Sequence, residues 1–271
     1  MKSLLLLCAV LASADASSLV GLRVSSGLRK LRGGADDADA PTAPPTAPPT
    51  APRALSQDEI QAKLDAVPCF VLVGEEGGFV GLTLRETENR AIVFFTEPAE
   101  ALAVLNMTQA VHEGTPLKLM SVGLGFALKM CGGWGEDAAV KEAFAEFDGD
   151  LMLQGSHAMT SDVAPKLKSM LETEGIDAGS WQLPMFICEE LQGPTILPVF
   201  LHPREIKETW LGAGRPEDEL PDKFVMMDIR ILVKQMGTPT MPWDRVHIVG
   251  SPAAVELANS LQTELKPTPA D

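Results

Sequence analysis

The pattern of apolar and polar positions repeats along the chain. An apolar run at residues 93–95 (VFF) begins a block that ends at 129–130, and a similar run at 199–201 (VFL) begins a second block that ends at 235–236. Both ends are offset by 106 positions (93 to 199, 130 to 236), so the two blocks align without a net gap. Similar blocks in the same order indicate a duplicated unit.

Two flanking matches extend the repeat. Residues 67–71 (VPCFV) align with 183–187 (LPMFI), and residues 151–156 (LMLQGS) align with 246–251 (VHIVGS). Their offsets are 116 and 95, so insertions or deletions of about ten residues fall in the connections, where loops tolerate them. Chance similarity between apolar strands is the alternative, but three blocks in the same order favour a ββαβ-like unit that occurs twice.

The periodicity predicts a mixed α/β fold. Residues 56–59 (SQDE) form a capping box before a helical pattern, and residues 91–95 form an apolar run without alternation, which is typical of a strand covered on both faces. We expect two pseudo-symmetric repeats, at about 56–176 and 180–266, whose strands form one mixed sheet flanked by helices. In the second repeat the pattern predicts strands at 185–188, 196–201, 224–232 and 246–249 and helices at 203–211 and 252–265.

The N-terminal region has the composition of targeting segments. Residues 1–16 combine a basic start, an apolar core and a small-residue end, as a secretory signal peptide does. Residues 17–39 begin with an Arg- and Ser-rich stretch without acidic residues up to Gly34, which resembles an organelle transit peptide. A signal followed by a transit peptide suits a plastid with extra membranes, and plain secretion with a basic propeptide is the alternative.

A proline-rich segment separates these residues from the body. Residues 40–53 repeat Pro, Thr and Ala, a composition that favours extended polyproline conformation and predicts a spacer. A more specific alternative is that this segment is a ligand for a polyproline-binding domain. We expect the globular domain at 54–266 and a flexible tail at 267–271.

The charge balance argues against several partner classes. The chain carries a net charge of −15, and its first 34 residues contribute five basic groups and one acidic, so the remainder has 17 basic against 36 acidic groups. A polyanion repels nucleic acid and anionic lipid surfaces, and it favours basic partners. No apolar run after the signal is long enough for a membrane span, so we expect a soluble mature protein of unknown oligomeric state without an integral membrane segment.

The side chains that usually carry chemistry do not form a motif. Cys69, Cys131 and Cys188 lack metal-ligand spacing, their redox state is open, and a disulfide between Cys69 and Cys188 is a minor alternative. The glycines at 123 and 125 follow a strand without a complete dinucleotide motif, so we expect a bend there. We therefore expect no catalytic, cofactor-binding or metal-binding residues. Asn106 begins a glycosylation sequon in a predicted helix, where its occupancy is doubtful.

Methionines offer a weaker indication of a binding surface. The chain has 12, and four lie close together at 226, 227, 236 and 241. Flexible thioethers suit apolar grooves that accept varied partners, although filling of the core is the more common role.

The body resembles the Tic twenty-two (Tic22) family. The resemblance rests on residues 55–73 (LSQDEIQAKLDAVPCFVLV) and on the strand runs 93–95, 183–186 and 199–200, and it spans roughly 55–265. It implies a chaperone-like protein of the plastid intermembrane space, with apolar grooves that hold precursor proteins and with contacts to other import translocon subunits. Two departures could alter a groove: the glycine-rich stretch 123–135 and a short second hairpin at 191–194.

Two other functions remain open at this stage. A plastid enzyme of small-molecule metabolism would need a polar pocket with convergent titratable groups between the two halves. A secreted scaffold would use the proline-rich segment as a stalk. The family is not defined by catalytic residues, so the resemblance implies none.

Overall fold

The computed structural model of the chain describes residues 51–84, 89–112, 114–135 and 137–264. The predicted signal peptide (1–16), transit-like segment (17–39), most of the linker (40–50) and the tail (267–271) lie outside these ranges. The described residues form eight α-helices: Gln57–Leu64 (α1), Pro98–Val111 (α2), Leu124–Met130 (α3), Ala138–Ala143 (α4), His157–Thr173 (α5), Pro203–Gly212 (α6), Ile229–Met236 (α7) and Pro252–Glu264 (α8). They also form nine strands: Pro68–Gly74 (β1), Leu82–Thr83 (β2), Arg90–Phe95 (β3), Leu117–Gly123 (β4), Asp150–Gln154 (β5), Pro184–Ile187 (β6), Leu197–Phe200 (β7), Val225–Asp228 (β8) and Val246–Val249 (β9).

The strands form two sheets. In the first sheet, β1 lies between β3 and β4 and pairs antiparallel with both, while β3 also pairs with β2 and, in parallel, with β5. In the second sheet, β6 lies between β7 and β8 and pairs antiparallel with both, and β9 runs parallel to β7. The mixed α/β class is therefore correct.

The prediction of one continuous mixed sheet is wrong. A single large cluster of buried side chains joins the inner faces of both sheets to α1, α3 and α7. Because these helices contribute apolar side chains to the same cluster as both sheets, the sheets meet through a packed interior instead of pairing edge to edge.

The two sheets share their strand order, but one register differs from the sequence alignment. Phe70 pairs with Phe95 in the first sheet, and Phe186 pairs with Phe200 in the second. Phe95 therefore matches Phe200, an offset of 105, whereas the sequence alignment gave 106. A shift of one residue moves every side chain of a strand to the opposite face, so the difference decides which residues correspond. Superposition of the two units stays a prediction.

Each sheet is also covered on its outer face. Strand β1 sends Cys69 and Val71 into the central cluster and Phe70 and Leu72 to the outer face, as the alternation of a strand requires. Helices α2 and α8 cover the outer face of the first sheet, and α6, together with Met159 of α5, covers that of the second. This layering places several helices at the protein surface.

The two halves exchange one helix each. Helix α5 follows β5 of the first sheet but contacts β6 and β8 of the second, and α8 follows β9 of the second sheet but contacts β1 and β4 of the first. Each outer face is therefore built from one helix of its own half and one from the other half. This exchange brings residues from distant parts of the sequence together on each outer face.

The strand predicted at 224–232 is half strand and half helix. The strand β8 ends at Asp228, whose carboxylate accepts a hydrogen bond from the backbone N–H of Arg230 and so caps α7. The buried Arg230 side chain also pairs with Asp228 (2.9 Å) and lies over the ring of Trp181. The polar cap at Asp228 gives only a weak sequence signal, because most of the residues around it are apolar.

Other local predictions differ in extent. The bend predicted near Gly123 is the start of α3. The residue that precedes α2 is Glu97, whose side chain makes no capping hydrogen bond. The capping box of α1 is confirmed, because Ser56 and Glu59 each accept the predicted hydrogen bond.

The end of the predicted linker belongs to the body. The Arg53 guanidinium lies 2.9 Å from the Glu59 carboxylate and 2.8 Å from the Asp244 carboxylate. The backbone N–H of Leu55 donates to the carbonyl of Met236. The chain therefore enters the folded body at about Arg53.

Candidate functional site

An open apolar cleft lies on the outer face of the second sheet, between α5 and α6. Its volume is about 390 Å³. We call it the α5–α6 cleft, and its lining residues are Ser156, Ala158, Met159, Asp162, Val163, Phe186, His202 and Pro203. Phe186 of β6 lies at its base, and apolar side chains make up most of its walls. A cleft of this kind can accept an apolar segment of another molecule.

The size of three side chains distinguishes this face from the matching face of the first sheet. Phe95 matches Phe200, and the sixth residue after each is Ala101 on α2 and Ile206 on α6. The parallel strand pairs match Gln154 with Val249. The fifth residue after each is Met159 on α5 and Ala254 on α8, and the ninth is Val163 on α5 and Ala258 on α8.

Small side chains let helices approach a sheet and one another closely. Ala101, Ala254 and Ala258 are buried, and α2 and α8 contact each other over the first sheet. The larger Ile206, Met159 and Val163 occupy the matching positions on the second sheet, where Met159 and Val163 border the cleft. The substitution of larger side chains therefore accounts for a cleft on one face and a closed surface on the other.

The first turns of α5 form one wall of the cleft. Ser156 does not cap this helix with its side chain, and the backbone N–H of His157 donates instead to Glu100 of α2 (2.7 Å). Pro165 lies inside α5 and has no N–H to donate to the carbonyl of Ser161. Pro165 therefore removes one backbone hydrogen bond of α5 close to the turns that line the cleft.

The start of α6 forms the opposite wall. The imidazole Nδ1 of His202 accepts a hydrogen bond from the backbone N–H of Arg204 (3.0 Å), and the carboxylate of Glu205 accepts from the N–H groups of Leu201 and His202 (3.3 Å each). Pro203 occupies a favoured first-turn position. These bonds hold the first turn of α6 in place beside the cleft.

Acidic groups from both halves meet beside this wall. The Glu205 carboxyl is almost fully buried, and burial, followed by the nearby charge of Glu97, raises its pKa to about 7. Glu97, at the start of α2, pairs with Arg204 at 3.3 Å, so this ion pair joins the two halves. Burial, followed by the charge of Arg204, lowers the pKa of His202. Near neutral pH this wall of the cleft therefore carries the uncharged imidazole of His202 close to the ion pair of Glu97 and Arg204.

Three titratable groups beside the cleft already have structural partners. His202 and Glu205 bond backbone N–H groups at the start of α6, and Glu97 pairs with Arg204. Within the described ranges, no hydrogen bond joins Ser156 to His202, as a nucleophile and its base would require. The same ranges contain no group of three or more side chains suited to a metal ion. The apolar lining of the cleft suits the binding of apolar surface.

The other residues that the sequence analysis singled out lie elsewhere. Cys69 belongs to the central cluster and Cys188 to the outer cluster of the second sheet, so they are not placed for a disulfide, and both are free thiols, as is Cys131. Burial raises the pKa of all three thiols. Asn106 lies in a helix, α2, as expected, and its side chain is exposed.

Three of the four clustered methionines fill the interior, which is the more common role for methionine. Met236 is fully buried, Met227 and Met241 pack against the central cluster, and Met226 packs against the outer cluster of the second sheet. The methionine that borders the cleft is Met159, which the sequence analysis did not single out. The sequence does mark this position, because the alignment of the two repeats places Met159 and Val163 opposite Ala254 and Ala258.

Within the described part of the chain, no helix is long and apolar enough to span a membrane.

The arrangement as a whole is a two-sheet α/β protein with an apolar cleft on one outer face. No protein-family model matches the chain, and no curated protein matches its sequence.

Two solved structures that match are Tic22 proteins. Tic22 from Anabaena, described as a protein transport protein, is 18% identical with a TM-score of 0.48, and the match covers 79% of this chain and 100% of that one. Tic22 from Plasmodium falciparum is 16% identical with a TM-score of 0.49, covering 76% of this chain and 99% of that one. Both belong to the family that the sequence resembles. At these identities the likeness concerns the fold alone, so the function has to be argued from the chain itself.

Proposed function

We propose that this protein is a chaperone-like component of plastid protein import that binds precursor proteins as they cross the intermembrane space. The α5–α6 cleft is the binding site in this proposal. The observation that carries it is the open apolar cleft lined by Met159, Val163 and Phe186 in a chain with a strongly negative net charge. An apolar groove accepts extended or helical apolar segments without requiring one sequence.

Charge supports the choice of client. The chain beyond residue 34 has 17 basic and 36 acidic groups, and the cleft itself includes Asp162. Transit peptides are basic and apolar, so long-range attraction and apolar contact would act on the same segment. The same acidity disfavours nucleic acid as a partner.

The sequence supports the location. The resemblance to the Tic22 family and the signal-plus-transit composition of residues 1–39 both fit a protein delivered to a plastid with extra membranes. In this proposal the mature protein acts in the intermembrane space, where it passes clients to other translocon subunits and makes or breaks no bonds.

The test uses a client-like probe with a known composition. Residues 17–34 of the chain itself contain four basic and no acidic residues among several leucines and valines, so a fluorescent peptide of this sequence is suitable. We expect it to bind the chain from Ala51 onward. Val163→Asp places a charge in the cleft and should weaken binding at least about tenfold, because the carboxylate would have to be desolvated.

The matched control is Val111→Asp, at an exposed valine on α2 outside the cleft. It adds the same charge to the same type of residue and should leave peptide binding unchanged. Equal binding by both variants and the unaltered chain would refute the cleft as the client site. Suppression of client aggregation, measured with the same variants, should follow the same order.

A further inference from the structure

The outward side of α2 is apolar and uncharged. Leu102, Met107 and Val111 are 40%, 51% and 76% exposed, and they are three of the six exposed large apolar side chains in the described ranges. The one charged residue of this helix, Glu100, is half-buried and accepts hydrogen bonds from β5 and from the start of α5. The outward side of α2 therefore presents apolar surface to solvent without a charged group beside it.

Asn106 lies at the centre of this surface. At 3.6 residues per turn, Ala99, Leu102, Ala103 and Ala110 lie within about 60° of it around the helix, and all of them are exposed. Within the part of the chain that the structure describes, the side-chain amide of Asn106 makes no hydrogen bond. A group attached to this amide can therefore extend into solvent over the apolar side chains without breaking a contact of the fold.

Asn106 also begins the one acceptor sequence for N-linked glycosylation in the chain. Of the three asparagines, only the one in residues 106–108 (NMT) has a hydroxyl residue two positions later. In the folded helix the Thr108 hydroxyl donates to the carbonyl of Val104 (2.7 Å). Because this hydroxyl has to be free while the sugar is transferred, the acceptor is the chain before it folds. The fold then only has to leave room for the sugar, and the exposure of Asn106 provides it.

We propose that Asn106 carries an N-linked oligosaccharide that covers the apolar side of α2. The donor is an oligosaccharide linked to a polyprenyl diphosphate in the endoplasmic reticulum membrane. The amide nitrogen of Asn106 forms a bond to the anomeric carbon of the first sugar, and the bond between that carbon and the diphosphate oxygen breaks. The amide loses one proton and the lipid diphosphate leaves. The attached sugar is bulky and hydrated, so it shields the apolar side chains around it.

This inference rests on the location in the proposed function, because residues 1–16 have the composition of a signal that directs a chain into the secretory route. It does not depend on the α5–α6 cleft, which lies on the outer face of the second sheet, whereas α2 covers the first. A sugar on α2 leaves the cleft open. Binding of the peptide of residues 17–34 to the unglycosylated chain from Ala51 onward tests the cleft separately.

The test is translation of the full 271-residue chain in the presence of endoplasmic reticulum membranes. We expect one shift to slower electrophoretic mobility, which an enzyme that removes N-linked glycans reverses. Asn106→Gln and Thr108→Ala should each abolish the shift, and Thr108→Ser should retain it because the hydroxyl is kept. The positive control carries Glu217→Asn and Glu219→Thr, which create a second sequon in an exposed 3₁₀ turn and should add a second shift.

Three results would overturn the proposal. Modification of the control sequon without modification of Asn106 would show that the chain reaches the transfer enzyme and that Asn106 is not used. Absence of both shifts would show that the chain does not enter the compartment where the sugar is attached. An unmodified Asn106 in a chain that forms dimers, which Val111→Asp separates, would assign this side of α2 to a second copy of the chain.

Shielding of the apolar surface is measured by retention on a hydrophobic interaction column. The Asn106→Gln chain should be retained longer than the glycosylated chain. A glycan at the control sequon of the Asn106→Gln chain adds the same polar mass elsewhere and should not restore the shorter retention. Full restoration by that glycan would overturn the covering of α2, because the position of the sugar would then not matter.

Discussion

The outer faces of the two sheets have matching strands and different surfaces. On the first sheet, Phe70 lies under α2 and α8, whose buried positions in this cluster are alanines, and it has no exposed surface. On the second sheet, the matching Phe186 lies at the base of a cleft, and larger side chains border the helices above it. The volume of a few helix side chains therefore decides whether the outer face of a sheet is closed or carries a cleft.

The largest expected effect concerns the two matched phenylalanines. Phe70→Ala should cost about 4–5 kcal/mol of the free energy of unfolding, because it leaves a cavity that closely packed helices cannot fill. Phe186→Ala should cost at least about 1 kcal/mol less, because its site already borders an open cleft that solvent can enter. Denaturant unfolding of both variants measures the difference, and equal costs would contradict the contrast between the faces.

The alanine positions provide the next test. Ala101→Ile introduces the side chain that occupies the matching position on α6, and overpacking should cost about 1–3 kcal/mol. Ala103→Ile, on the exposed side of the same helix, is the control and should cost only a few tenths of a kcal/mol from helix propensity. Similar unfolding free energies for the two variants would show that small residues are not what closes this face.

The carboxyl of Glu205 makes the wall of the cleft sensitive to pH. Its pKa is about 7 in the folded protein and about 4.5 when exposed, so the folded state binds the proton more tightly. Its contribution to stability is fully present below about pH 4.5 and is lost as the pH rises through 7. Glu205→Gln keeps an acceptor for the helix cap without the charge. It should therefore stabilise the protein by on the order of 1–3 kcal/mol at pH 8 relative to its effect at pH 4.5.

The measurement is urea unfolding of the unaltered and Glu205→Gln chains from pH 4.5 to 8. The difference between them isolates this group from other titrations, including that of His202, whose lowered pKa acts in the opposite direction. A difference that does not change with pH would mean that Glu205 is not buried as a neutral acid.

The smallest effect is expected for the ion pair that joins the halves. Arg204 is half exposed, so its pair with Glu97 should contribute no more than about 1 kcal/mol. A double-mutant cycle of Arg204→Met and Glu97→Gln measures the coupling directly. A coupling of several kcal/mol would mean that this contact, and not the shared apolar core, holds the halves together.

Much of the fold follows from local patterns in the sequence. The capping box at Ser56 and the strands β1, β3 and β9 were predictable because their signals depend on neighbouring residues only. The mixed α/β class and the position of α6 were predictable for the same reason.

What could not be predicted depends on contacts between distant residues. The start of α7 at Asp228 was hidden among strand-forming residues, and the separation into two sheets follows from packing against α1, α3 and α7. The exchange of α5 and α8 between the halves leaves no local signal. Because this exchange is not visible in the sequence, Met159 could not be assigned to a cleft. The alignment of Met159 with Ala254 nevertheless marked a position where the two repeats differ.

The most direct test of the account is to observe which methionine the client touches. Met159 borders the cleft, and Met107 is half exposed on α2 over the closed face, so ¹³C-labelled methyl groups report on both faces in one spectrum. When the peptide of residues 17–34 is added to the chain from Ala51 onward, the account predicts that the Met159 methyl signal shifts with increasing peptide while that of Met107 stays in place. A shift of Met107 alone, or of neither methionine at saturating peptide, would contradict it.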